Sequence, residues 1–105
     1  MKVTVTTTDT EKHDDLAAMA DAFRVGKTGA ILVLLGSTEK GGVHVALTDD
    51  LVKSGRQAGA VIKELGGKGG GRPYFASGSL ARDQQPDQET AFAKVGSWIE
   101  TSSTG

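Results

Sequence analysis

A chain of 105 residues with a net charge of −1 has room for one core, which buries roughly 60–65% of the unfolded surface. The absence of cysteine excludes disulfides and thiolate metal sites and favours an intracellular setting. No apolar stretch approaches the ~18 residues of a membrane span and the N-terminus lacks a signal-peptide core, so the expectation is one cytoplasmic soluble domain over residues 1–105 with no membrane partner.

In chain order, Lys2-Val3-Thr4-Val5-Thr6 alternates with period two and is rich in β-branched residues, the pattern of a half-buried first strand. Asp9 or Thr10 is placed to cap a helix whose opening turns carry Glu11, Asp14 and Asp15 at the positive end of its dipole. Leu16, Met19, Ala20 and Phe23 then recur at i, i+3, i+4 and i+7, which predicts an apolar stripe turned to the core. Gly26 and Gly29 close this helix. The unbroken apolar run Ala30-Ile31-Leu32-Val33-Leu34-Leu35 predicts a central strand covered on both faces.

A polar loop over residues 36–42 leads to Val43-His44-Val45-Ala46-Leu47, a strand that forms a hairpin with the preceding one. Leu51, Val52, Ala58, Val61, Ile62 and Leu65 fit a helix, with Gly55 and Gly59 on or near its apolar face to let it lie close to a sheet. Residues 74–80 read equally well as a short strand or a turn. Pro86-Asp87 opens a last helix with Phe92, Val95, Gly96 and Ile99 inward and Trp98 near an edge, and residues 101–105 are expected to fray. The expected fold class is α/β in the layered α+β sense, a mixed β-sheet packed by about three helices. Its order is strand, helix, strand, strand, helix, glycine loop, optional strand, helix.

The near-neutral total hides a pattern. Residues 51–82 hold six cations, Lys53, Arg56, Lys63, Lys68, Arg72 and Arg82, against the single Glu64, while the segments on either side are each net −3. This positive block surrounds Gly66-Gly67-Lys68-Gly69-Gly70-Gly71-Arg72-Pro73, whose five glycines predict a flexible loop with backbone N–H groups exposed beside two cations, a composition suited to phosphate oxygens. It is neither a Walker A loop, since Gly69 rather than Ser or Thr follows Lys68, nor a dinucleotide fingerprint, since it follows a helix instead of a strand.

Catalysis finds no support in the residues. His13 reads as a solvated surface residue, His44 as a position on the outer face of the hairpin, and Asp49-Asp50 as a helix N-cap and turn rather than a metal pair. No nucleophile has a base partner at a suitable spacing, so the chain is expected not to be an enzyme by itself and to need no metal or cofactor.

The octapeptide resembles the GGKGGGRP signature of the C-terminal domain of bacterial alanyl-tRNA synthetase, the DHHA1 domain type shared with DHH-family phosphoesterases. Residues 43–55 and Ala58-Gly59 resemble the same family's strand, D-L-V turn and A-G helix, so the resemblance spans nearly the whole chain. The helix before the glycines is about one turn shorter than the family pattern, and Tyr74-Phe75-Ala76-Ser77-Gly78-Ser79-Leu80 departs from it after Pro73. Arg72 stands where the phosphoesterases carry histidine, which favours the synthetase branch.

The resemblance implies an RNA-binding module of a synthetase, with tRNA, alanine-specific, or another RNA as partner and homodimerisation as a further role. Gly67, Lys68, Gly69, Gly70, Gly71 and Arg72 would meet phosphates, and Lys53, Arg56 and Lys63 would extend the field. Tyr74 or Phe75 offers a stacking surface, although Phe75 is expected in the core. The alternatives are the substrate-holding domain of a DHH phosphoesterase, which would grip a short oligonucleotide, and a dimerisation module in which the glycines serve only packing.

Overall fold

Side-chain alternation along the all-apolar strand organises the fold. The computed structural model describes residues 2–8, 13–26, 28–36, 42–80 and 87–102. Its elements are β1 (Lys2–Thr8), α1 (His13–Arg24), β2 (Ala30–Gly36), β3 (Val43–Leu47), α2 (Asp49–Lys53), α3 (Ala58–Glu64), β4 (Lys68–Arg72), β5 (Phe75–Ser79) and α4 (Gln88–Ser102). The sheet order is β1-β2-β3-β5-β4, with β1 parallel to β2 and every other neighbouring pair antiparallel. α1 lies in the crossover that the parallel pair requires.

Every residue of β2 is buried, and its alternating side chains divide between the two faces of the sheet. Ile31, Val33 and Leu35 join Val43, Val45 and Leu47 in a cluster closed by Ala58, Val61 and Ile62 of α3, by Leu65, and by Ala91 and Val95 of α4. On the other face Leu32, Leu34 and Ala46 meet Leu16 and Ala20 of α1, with Phe23 and Phe75 half-buried against them. The expected mixed sheet, its doubly covered strand and the β2–β3 hairpin are all present.

The structure also corrects the sequence reading. The helix expected from residue 51 to 65 is two helices, because Gly55 takes φ +99° and turns the chain between them; α1, α3 and α4 are the three that pack extensively on the sheet, and the short α2 adds the buried Leu51. The glycine segment is not a loop: residues 68–72 form an edge strand, and residues 75–79 form the strand beside it. Met19 is 39% exposed and Phe92 53% exposed, although both keep helical spacing with core residues. α4 continues to Ser102, beyond the expected start of fraying. The proposed caps Asp9 and Thr10, residues 37–41 of the polar loop, Arg82, Pro86 and the His13 and Ile99 side chains lie outside the described residues.

Asp87 caps α4, its Oδ1 accepting the Thr90 N–H at 2.7 Å. Asp50 acts differently from the cap expected of it. It sits in the first turn of α2, where its carboxylate accepts the Thr48 hydroxyl at 2.7 Å and the Gly29 N–H at 2.8 and 3.0 Å, tying the helix to the start of β2. The Thr48 hydroxyl first, and the Gly29 N–H second, hold this carboxyl below its ordinary value of 3.8. A depressed folded-state pKa contributes stability that is present above the ordinary value and lost as pH falls through the depressed one. Asp50→Asn is therefore expected to flatten the acid limb of a plot of Tm against pH below about pH 4, measured by circular dichroism, with little effect on the shape near neutrality.

Candidate nucleic-acid interface

Glycine spacing decides how the cations are presented. Of the five glycines in the octapeptide, the first two terminate α3: Gly66 adopts φ +92°, its N–H donates to Lys63 O at 3.0 Å, and the Gly67 N–H donates to Ile62 O at 3.0 Å. Gly67 is buried, so its amide serves the helix end and not the surface. Gly69, Gly70 and Gly71 then run as β4 between Lys68 and Arg72, all five residues exposed at the edge of the sheet. Among the described residues only one flank of this strand meets a neighbouring strand, β5; along the other, alternate N–H and C=O groups of an edge strand face outward.

The three strand glycines differ in what they do. A Cβ on Gly69 would overlap Gly78 Cα and Ser77 O, so the two strand backbones approach only because no side chain stands between them. Gly78 mirrors this, its Cβ falling 2.7 Å from Lys68 O. At Gly70 a Cβ meets nothing within 4 Å, and its φ is not positive.

Register sets the faces. Lys68, Gly70 and Arg72 pair with Ser79, Ser77 and Phe75 and share their face, the one covered further along by α1. Lys68 and Arg72 thus project on one side of the edge, about 13 Å apart along the strand at ~3.3 Å per residue. Neither takes part in an ion pair among the described residues. Lys63, exposed in the last turn of α3, lines with Gln57 and residues 69–72 a cleft of about 240 Å³ on the opposite side of the strand. A second cleft of about 290 Å³ opens on the α1 side between Asp21, Tyr74, Phe75, Ser77 and the same strand.

The turn joining β4 to β5 is pinned from three directions. The Ala58 N–H, at the first turn of α3, donates to Pro73 O at 2.9 Å, and the Leu47 N–H donates to Tyr74 O at 2.9 Å. The Arg24 guanidinium lies over the Tyr74 ring at 4.5 Å, with that of Arg72 at 5.9 Å. Arg24 is itself held, its Nε donating to Leu47 O at 2.8 Å and its Nη2 pairing with Asp49. Of the flanking cations expected at the site, Lys63 joins it. Lys53 and Arg56 sit on and after α2 and line neither cleft, and Arg56 donates to Ser54 Oγ at 2.6 Å. His44 is half-buried on β3, its Nδ1 2.9 Å from Ser77 Oγ.

A protein-family model described as the DHHA1 domain matches residues 1–101. The chain belongs to the DHHA1 domain family. This DHHA1 domain is 38% identical over 94 residues to an alanine–tRNA ligase of Geobacillus kaustophilus (strain HTA426), covering 84% of the domain and 10% of that protein. It is 33% identical over 93 residues to the alanine–tRNA ligase of Bacillus subtilis (strain 168), covering 82% of the domain and again 10% of the relative. The domain thus spans about a tenth of the length of these curated relatives. In fold it resembles the C-Ala domain from Aquifex aeolicus alanyl-tRNA synthetase, a crystal structure, with a TM-score of 0.67 and 21% identity, over 89% of this chain and 85% of that one. These matches support the likeness to the C-terminal domain of alanyl-tRNA synthetase that the octapeptide carries.

Sequence reasoning missed Arg24 and Asp21, which reach the DHHA1 domain's glycine strand from a helix about fifty residues away in sequence. No local pattern signals such an approach. The nearest clue was that Arg24 closes an otherwise apolar helix face beside Phe23.

Proposed function

We propose that this domain is a cytoplasmic RNA-binding module that holds tRNA, that of the alanine system, against the edge of β4. It acts as the non-catalytic, tRNA-holding part of an alanine–tRNA ligase. Phosphates meet Lys68, Arg72 and Lys63, and the outward N–H groups of the glycine strand supply short hydrogen bonds to phosphate oxygens. Helix propensity and core packing have no use for glycine at position 70, where the surroundings are open and the backbone would accept any residue. That observation carries the reading. A bare stretch of edge strand bracketed by exposed cations lets a polyanion lie against the backbone, and in a strand interior glycine otherwise costs roughly 0.5–1 kcal/mol relative to alanine. The names of the relatives supply the RNA: they are alanine–tRNA ligases.

About three phosphate contacts imply weak binding whose logarithm falls with log salt at a slope of about −2 to −3. The test is a filter-binding titration of tRNA at two salt concentrations with the parent domain and with Gly70→Val. The valine fits the open space and suits a strand, so the variant is expected to stay folded while its affinity falls about tenfold or more. Unchanged affinity would remove the edge of β4 from the interface.

A further inference from the structure

The two clefts beside β4 share Gly70, Gly71 and Arg72 and differ in everything else that lines them. Among the described residues the α3 side brings Lys63 and Gln57 and no carboxylate; the α1 side brings Asp21, Tyr74, Phe75 and Ser77. We infer that the α1-side cleft is a slot for one unpaired nucleobase, reached across the glycine edge from a sugar–phosphate strand held on the α3 side. The inference rests on the RNA-binding reading above and adds where the base goes.

Charge separates the two roles. The exposed Asp21 carboxylate, 3.9 Å from Arg24, repels a phosphate inside the α1-side cleft, so the polyanionic part of a nucleotide stays outside it, held by Lys63 from the α3 side and by Arg72, which lines both clefts, at the shared rim. A base is uncharged, and each base carries N–H donors on its Watson–Crick edge for Asp21 and a π-face for an aromatic ring. Tyr74 lies under the Arg24 guanidinium, whereas Phe75 lies on the sheet face beside Ala46 and is the stacking surface. The Ser77 hydroxyl, paired with His44, stands next to it on that face. A volume of about 290 Å³ lies at the small end of the ~300–1,000 Å³ typical of ligand clefts, enough for one heterocycle and not for a stack. With no side chains at Gly70 and Gly71 the wall between the clefts is a single backbone thick, so one nucleotide can straddle it.

The probes are a single-stranded uridine hexamer and a hexamer with the same number of phosphates on abasic sugars, titrated against the domain at two salt concentrations. The uridine hexamer is expected to bind between about fivefold and a hundredfold more tightly, the range of one base stacked on an aromatic ring, with the same salt slope for both probes. Phe75→Leu, which keeps the apolar packing, is expected to erase the difference and leave the slope. Lys63→Ala is expected to weaken both probes alike and make the slope shallower. Equal affinity of the two hexamers for the parent domain, or a difference that survives in Phe75→Leu, overturns the slot while the RNA-binding reading stands. Failure of both hexamers and of tRNA to bind overturns that reading and the slot with it.

Discussion

Gly69→Ala is expected to destabilise the domain by about 3 kcal/mol or more, whereas Gly70→Val, one residue along the same strand, is expected to leave stability unchanged or slightly higher. The contrast follows from where each new carbon lands. At Gly69 it overlaps Gly78 Cα and Ser77 O, which are backbone atoms and cannot rotate aside, so β4 and β5 must separate. Overpacking against movable side chains costs about 1–3 kcal/mol, and a backbone clash belongs at or above the top of that range. Against a total of about 5–15 kcal/mol, the loss would move a urea midpoint far to the left. At Gly70 the added side chain enters open space and replaces a residue that disfavours strands. Urea unfolding of both variants checks the ranking, and the reverse order would mean that the two strands are not paired in the register described.

The second large effect concerns binding. Lys68→Ala combined with Arg72→Ala is expected to remove tRNA binding at about 0.15 M salt without unfolding the domain, because both side chains are exposed and outside any ion pair among the described residues. Arg72 gives up only its place 5.9 Å from the Tyr74 ring, an interaction worth about 0.5–1 kcal/mol, and Arg24 keeps its own at 4.5 Å. Whatever binding persists at low salt should show a slope shallower by about 2, one for each phosphate that no longer meets a cation. A filter-binding titration with unchanged affinity and slope would place the RNA elsewhere on the molecule.

Much of the architecture was legible because it follows from local periodicity. The run around Val33 could only be a strand covered twice, and Leu16, Ala20 and Val95 sat at helical spacing and are buried. Where the reading failed, the missing information was tertiary. Met19 keeps the spacing of its buried neighbours and yet is exposed, because α1 rests on β2 and β3 through a stripe narrower than the spacing suggests. The glycine strand was unreadable for the opposite reason. Glycine carries neither alternation nor β-propensity, and residues 68–72 become a strand only because Gly78 on β5 is equally bare where Gly69 faces it. The cations of the candidate site were visible in composition, and so was the break with known nucleotide loops. The clamp of Arg24 on Tyr74 and the approach of Asp21 were not, since each joins residues some fifty positions apart.

The antiparallel edge has a bearing on self-association. If two copies zipped together along β4 with Gly70 opposite Gly70, each Lys68 would stand opposite the other copy's Arg72, and like charges directly across a ladder repel. An unprotected rim of backbone is ordinarily an invitation to fibrils and sheet-to-sheet dimers, and the short length of this strand with a positive residue at either end withholds it. The charges proposed to draw in an anionic partner are therefore the same ones that keep the molecule from templating itself.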